Sequence, residues 1–227
     1  MTANESLDVE KLAAEIDERI RALPSLKTEN VRALRREFSK RIAQAGPQDV
    51  LELALKLLEF PRFEYRFVAY ELIAGHRAAL RSLQAKELEQ LGQGLDRWEA
   101  VDTFACYLSG PAWRENQVSD KLIHRWARSK DRWWRRAALV STVGLNNRAR
   151  GGRGDAARTL LVCELLIADR DDMVVKAMSW ALRELAKHEP KAVSKFMTEH
   201  KGELAARAVR EVRNKLTTGV KNPKRRN

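Results

Sequence analysis

MVVKAMSWALRELAK, residues 173 to 187, sorts its side chains by a helical period. Val174, Ala177, Ala181 and Leu185 recur at spacings of three and four and make one apolar side. Lys176, Trp180, Arg183 and Lys187 recur at four, three and four on the other side, which sets an indole within a basic stripe. The segment reads as a helix with one buried seam and one face left for something other than packing.

Outward from this stretch the same period recurs along the chain, and no sustained period-two alternation interrupts it. The pattern predicts helices at 8 to 22, 28 to 44, 47 to 60, 63 to 80, 85 to 94, 98 to 108, 116 to 129, 131 to 145, 155 to 169, 171 to 188, 190 to 200 and 203 to 217. Pro24, Pro47, Pro61, Pro111, Pro190 and Pro223 fall between these segments, as proline should. Thr28, Asp96, Asp131 and Asp171 stand where amino-terminal caps are expected. Every second helix, beginning near 28, 63, 98, 131, 171 and 203, recurs at intervals of 35, 35, 33, 40 and 32 residues. A helix pair repeating at that period predicts an all-α, HEAT-like stack: a curved solenoid whose alternate helices line a basic concave face. One domain of about six pairs is expected over 1 to 217, followed by a basic, flexible tail at 218 to 227. NNRARGGRGDAAR, 146 to 158, is too polar and glycine-rich for a helix and reads as a surface loop, its arginines free for phosphate or simply solvated.

Charge points to the kind of partner. The 227 residues carry a net charge of +12, a surface suited to a polyanion. Residues 1 to 20 hold six acids and two bases, whereas 205 to 227 hold eight bases and one acid. No apolar run is long enough to cross a bilayer, and MTANESLDVEK lacks the regions of a signal peptide, so a cytoplasmic location is expected. Cys106 and Cys163 lie in apolar helical stretches and the four histidines are scattered, so neither a disulfide, a metal nor a cofactor is expected.

Three inner helices carry groups suited to chemistry. In DRWEAVDTF, Trp98 and Asp102 stand one turn apart on one face. In DRWWRRAAL, Arg132 and Arg136 share another. Trp113, Trp126 and Trp133 are expected to pack in the core. Asp102 lies between Val101 and Phe104 on a surface otherwise basic, where a carboxylate weakens phosphate binding. Its presence wants a reason, either catalytic or structural, such as an ion pair with Arg136.

RWEAVD at 97 to 102, WWRRAAL at 133 to 139 and SWALRELAK at 179 to 187, in this order, resemble the active-site segments of the AlkD-like DNA alkylation repair proteins. The likeness extends more faintly through LKTENVRALRREF at 26 to 38 and LAARAVREVRNKL at 204 to 216. It implies a monomeric, cofactor-free glycosylase that excises cationic N-alkylated purines such as 3-methyladenine and 7-methylguanine from duplex DNA, without a deep base pocket. Carried across by position, Asp102 is the catalytic carboxylate and Trp98 and Trp180 are aromatic walls beside the lesion. Arg136, Arg183, Lys27, Thr28, Lys176 and Arg207 are then the DNA contacts. Two departures stand out: Arg97 where a second tryptophan is expected, and Lys27-Thr28 in place of a Gln-Thr pair. The readings that compete are a non-catalytic binder of damaged or branched DNA and a HEAT-type protein scaffold.

Overall fold

The computed structural model describes residues 7–223, and among them every regular element is helical. The chain divides into two compact units, Met1–Gly94 and Leu95–Asn227, where one continuous domain to 217 was expected. Residues 224–227, part of the expected tail, lie outside the described residues.

The first unit holds α1 (Val9–Arg21), α2 (Thr28–Arg41), α3 (Pro47–Leu58), α4 (Phe63–Gly75), α5 (Arg77–Ser82) and α6 (Ala85–Leu91). α1 packs on α3 and α2 on α4, so alternate helices pair side by side as the period requires. The expected helix at 63 to 80 is broken at His76, whose backbone is extended and whose Nδ1 accepts the Ala79 N–H at 3.1 Å. Buried Glu71 on α4 accepts from Arg32 and Arg35 of α2, at 3.0 and 2.9 Å. Lys27 takes the cap position of α2 without a side-chain cap bond, and Thr28 is the first helical residue rather than the cap.

In the second unit α7 (Trp98–Phe104) runs through a π-helical turn, Ala105–Ser109, into α8 (Gly110–Arg114). Then come α9 (Asp120–Ala127), α10 (Arg132–Asn146), α11 (Ala156–Leu165), α12 (Asp172–Leu185), α13 (Pro190–Glu199) and α14 (Ala206–Thr218). α7, α10, α12 and α14 pack in succession as one layer, with α9, α11 and α13 behind them. Pro111 therefore sits inside a continuous helical run and not between helices. A π turn leaves a carbonyl unpaired, and proline, lacking an N–H, fits just beyond it.

Local chemistry explains the helix starts. Asp131 and Asp171 accept the N–H of Trp133 and Met173, both at 2.8 Å, each cap contributing about 1 kcal/mol. Asp96 does not cap α7; the cap position is Arg97, with which Asp96 pairs instead. Val174, Ala177, Ala181 and Leu185 are fully buried, so the seam read from the sequence is the seam of α12.

α7–α8 and α10 touch closely. A Cβ on Gly144 would lie 2.7 Å from the Gly110 Cα, so only glycine lets the two backbones meet. Beside this contact, Ser109 Oγ and Ser141 Oγ are hydrogen-bonded at 2.7 Å.

The stretch at 146 to 158 is folded against the unit rather than free. Asn146 is buried, donating to Thr142 O and Thr159 Oγ1 and accepting the Asp155 N–H. The Arg150 guanidinium lies 4.0 Å from the Tyr107 ring centre, and Arg148 donates to Lys187 O. Arg153 alone of the three arginines is exposed without such a tie.

Trp113 and Trp126 are core residues, as expected. Trp133 is not: it is half-buried, with Arg132 over its ring at 4.8 Å. Its neighbour Trp134 is half-buried too, but it is the one that meets the core rings, 4.8 Å from Trp126 and 6.1 Å from Phe104 between ring centres. One residue along a helix rotates the side chain by about 100°, enough to exchange the two roles.

Candidate active site

An open cleft of about 420 Å³ in the second unit is lined by Trp98, Asp102, Arg136, Met173, Lys176, Trp180, Arg183 and Lys221. The first helical turn of α7 brings Trp98 and, one turn on, Asp102 to the same side, and Trp98 is 50% exposed. From the middle of α12, Trp180 stands half-buried opposite the apolar seam. Five sequence candidates besides Asp102 thus converge here: Trp98, Arg136, Lys176, Trp180 and Arg183.

At the centre, Arg136 donates from Nε and Nη2 to the two oxygens of Asp102, both at 2.9 Å. Its Nη1 donates to the Met173 carbonyl at 2.5 Å. The planar guanidinium therefore holds the carboxylate by both oxygens and ties it to the start of α12. Arg136 is 5% exposed, which makes it the clamp on Asp102 in this structure and leaves little of it to meet a phosphate. Burial pushes the Asp102 carboxyl above its ordinary value, and the hydrogen bonds and charge of Arg136 oppose that rise.

The other bases are also held. Lys176 pairs with Asp172 at 2.6 Å, and Arg183 Nε donates to Ser179 Oγ at 3.1 Å. Arg207 is not among the lining residues; it bridges Asp172 and Glu211, at 2.7 and 3.2 Å. Lys27 and Thr28 belong to the first unit. No described group of three or more His, Cys, Asp or Glu is placed to hold a metal ion, and both cysteines are buried free thiols. No helix is long and apolar enough to cross a membrane.

Sequence reasoning missed Lys221, Met173 and the pair Ser179 and Glu211. A backbone carbonyl such as that of Met173 leaves no trace in sequence. Ser179 was legible, lying four residues before Arg183 on one helical face, and Glu211 is the single acid among the eight bases of residues 205 to 227.

The arrangement is one half-buried carboxylate sharing a cleft with two indoles and several bases, carried on a stack of paired helices. Comparison with known proteins bears on the fold and the family. A solved structure from Enterococcus faecalis, described as a predicted DNA alkylation repair enzyme, superposes with a TM-score of 0.71 at 16% identity, over 96% of this chain and 100% of that one. That likeness establishes the fold. No curated protein matches the sequence. The family of DNA alkylation repair enzymes matches residues 13–216, nearly all of the described chain, and the protein belongs to that family.

Proposed function

We propose that the chain is a monofunctional glycosylase that hydrolyses the N-glycosidic bond of N-alkylated purines, 3-methyladenine and 7-methylguanine among them, in duplex DNA. The observation that carries this reading is Asp102, fixed by both oxygens on Arg136 in an open cleft that Trp98 and Trp180 also line. Alkylation at a ring nitrogen makes the base cationic and a good leaving group, so no strong general acid is required. The C1′–N bond breaks with its electron pair going to the base, and the deoxyribose becomes oxocarbenium-like. A carboxylate beside that sugar stabilises the positive charge. Arg136 uses one lone pair on each Asp102 oxygen, leaving others to accept from a water. That water adds to C1′ and its proton leaves through Asp102 to solvent. The products are the free alkylpurine and an abasic site.

The surroundings suit this chemistry. An indole face attracts a cationic base or sugar by about 0.5 to 2 kcal/mol. Lys176 and Arg183, with Lys27 and Thr28 of the first unit and Arg207, serve as backbone contacts that place the lesion. Arg136 is a positioning residue for Asp102 in this reading.

Release of 7-methylguanine from methylated duplex, measured for wild type and Asp102→Asn, tests the reading. Wild type should release base with the strand left intact, and the variant should lose about 10²- to 10³-fold in rate, as for other preorganised charges. Equal release by the two, or none above the spontaneous rate, refutes it. Strand nicking would instead point to an amine nucleophile, for which Lys176 and Lys221 are the groups in the cleft.

A further inference from the structure

Lys221 stands in the wall of the cleft, although it follows the last helix in a segment whose sequence reads as a loose basic end. Its place is built. α14 stops at Thr218 because Gly219 turns left-handed at φ 77°, with its N–H on Lys215 O at 3.0 Å. Asn214 Nδ2 then donates to the Lys221 carbonyl at 3.0 Å, which fixes the returning backbone. The Lys221 ammonium reaches Glu211 Oε2 at 3.3 Å.

Glu211 is 2% exposed. Besides Lys221 it accepts from Ser179 Oγ at 2.6 Å and from Arg207 Nε at 3.2 Å. Ser179 Oγ in turn accepts from Arg183 Nε. One buried carboxylate thus fixes three cations, two directly and one through a hydroxyl, and Arg183 and Lys221 face the cleft. Arg207 also pairs with Asp172, so three positive charges meet two negative ones and the group stays net positive. The Lys221 ammonium spends one of its three donors on Glu211 and keeps two.

We propose that Lys221 is a phosphate contact in the cleft wall, forming with Arg183 a subsite for one phosphodiester of the bound duplex, and that Glu211 is the positioning residue that sets it. This rests on the DNA-binding half of the function proposed above and not on bond cleavage. Simple electrostatics makes the opposite prediction for Glu211: an acid near a basic surface repels phosphate, so its removal should tighten binding.

The experiment is equilibrium binding of the full chain to an undamaged, fluorescently labelled duplex, from 50 to 200 mM salt, with inorganic phosphate as a competing arm. Each lost phosphate contact should shrink the affinity ratio between those two salt concentrations by about 3.5-fold. Lys221→Ala should show that loss, and Lys221→Arg should recover most of it. Glu211→Gln should bind more weakly than wild type. Asn214→Ala, which frees Lys221 without changing any charge, should behave like Lys221→Ala and carries the positioning claim if the buried Glu211→Gln fails to fold. Competition by millimolar phosphate equal to that by duplex would mean a free-anion site and not a strand contact. A wild-type salt slope in Lys221→Ala, tighter binding by Glu211→Gln, or no DNA binding by wild type overturns the proposal. Because base release is not read, loss of the glycosylase reading leaves the subsite standing, and an unchanged slope sinks the subsite while leaving base release untouched.

Discussion

Replacing Arg136 by methionine keeps much of the side chain's bulk and removes its charge. Asp102, whose side chain is only 16% exposed, then keeps its carboxylate without a partner, and the Met173 carbonyl loses a donor. Breaking a buried pair from one side costs about 3 to 5 kcal/mol, and the partial exposure of Asp102 places this pair near 3. For a chain of this length that is a fall in Tm of roughly 6 to 12 °C. The double variant Asp102→Asn/Arg136→Met leaves no unpaired charge, so it should be more stable than the sum of the two single changes by 1 kcal/mol or more.

The pH dependence has a definite sign. Burial already holds the Asp102 carboxyl above its ordinary 3.8, and Arg136 is what pulls it back. Without Arg136 the value rises further. Between the ordinary value and the raised one the folded state binds the extra proton, so stability falls as pH rises through that window. The deficit of Arg136→Met should therefore be larger at pH 7 than at pH 4, and the acid limb of base release should move to higher pH. Thermal unfolding at several pH values, with base release on the same samples, checks both. A variant as stable as wild type at pH 7, or a double variant no better than additive, refutes the view that Arg136 serves to hold Asp102.

Trp98→Ala removes a half-exposed ring, so Tm should move little, while kcat/KM for a cationic lesion should fall by about two- to thirtyfold, the range of one cation–π contact; an unchanged kcat/KM contradicts its role as a wall of the site. Gly144→Ala forces a Cβ against the Gly110 backbone and should cost about 1 to 3 kcal/mol by overpacking, read as a lower Tm; an unchanged Tm would mean that the two helices slide apart freely. Burial pushes the Cys106 thiol up to about 12 and raises that of Cys163 as well. At pH 8 the Cys106 thiolate fraction is on the order of 10⁻⁴, so thiol reagents should label the chain only as it unfolds, and rapid labelling of the folded protein contradicts this.

The parts of the fold that were legible are those set by local periodicity. The seam of α12 and the caps at Asp131 and Asp171 follow from residues within one or two turns of each other. The site was legible to the extent that Trp98 and Asp102, or Lys176, Trp180 and Arg183, share a face of one helix. The link between Asp102 and Arg136 was visible only as one of two alternatives, because it joins residues 34 apart that only packing brings together. Where a choice of one residue mattered, period alone failed: Trp133 and Trp134 are adjacent and both half-buried, and only Trp134 meets the rings of Phe104 and Trp126. The break at His76 and the π turn after Phe104 were hidden for a related reason. Both sit within sequence that a regular helix tolerates, and tertiary contacts select the irregular backbone. The place of Lys221 depends on Glu211 and Asn214 a few turns earlier, which composition reads only as a basic end.

At Gly110 and Gly144 no side chain stands between two helices, and eight residues earlier on each, about 12 Å away along the axes, are Asp102 and Arg136. A joint of that kind has no hinge. Nothing at the contact can change rotamer to let the helices part, so separating the carboxylate from its guanidinium means moving two helices as whole bodies against a packed core. This part of the cleft therefore has one shape before and after it is filled, and whatever enters must do the bending itself.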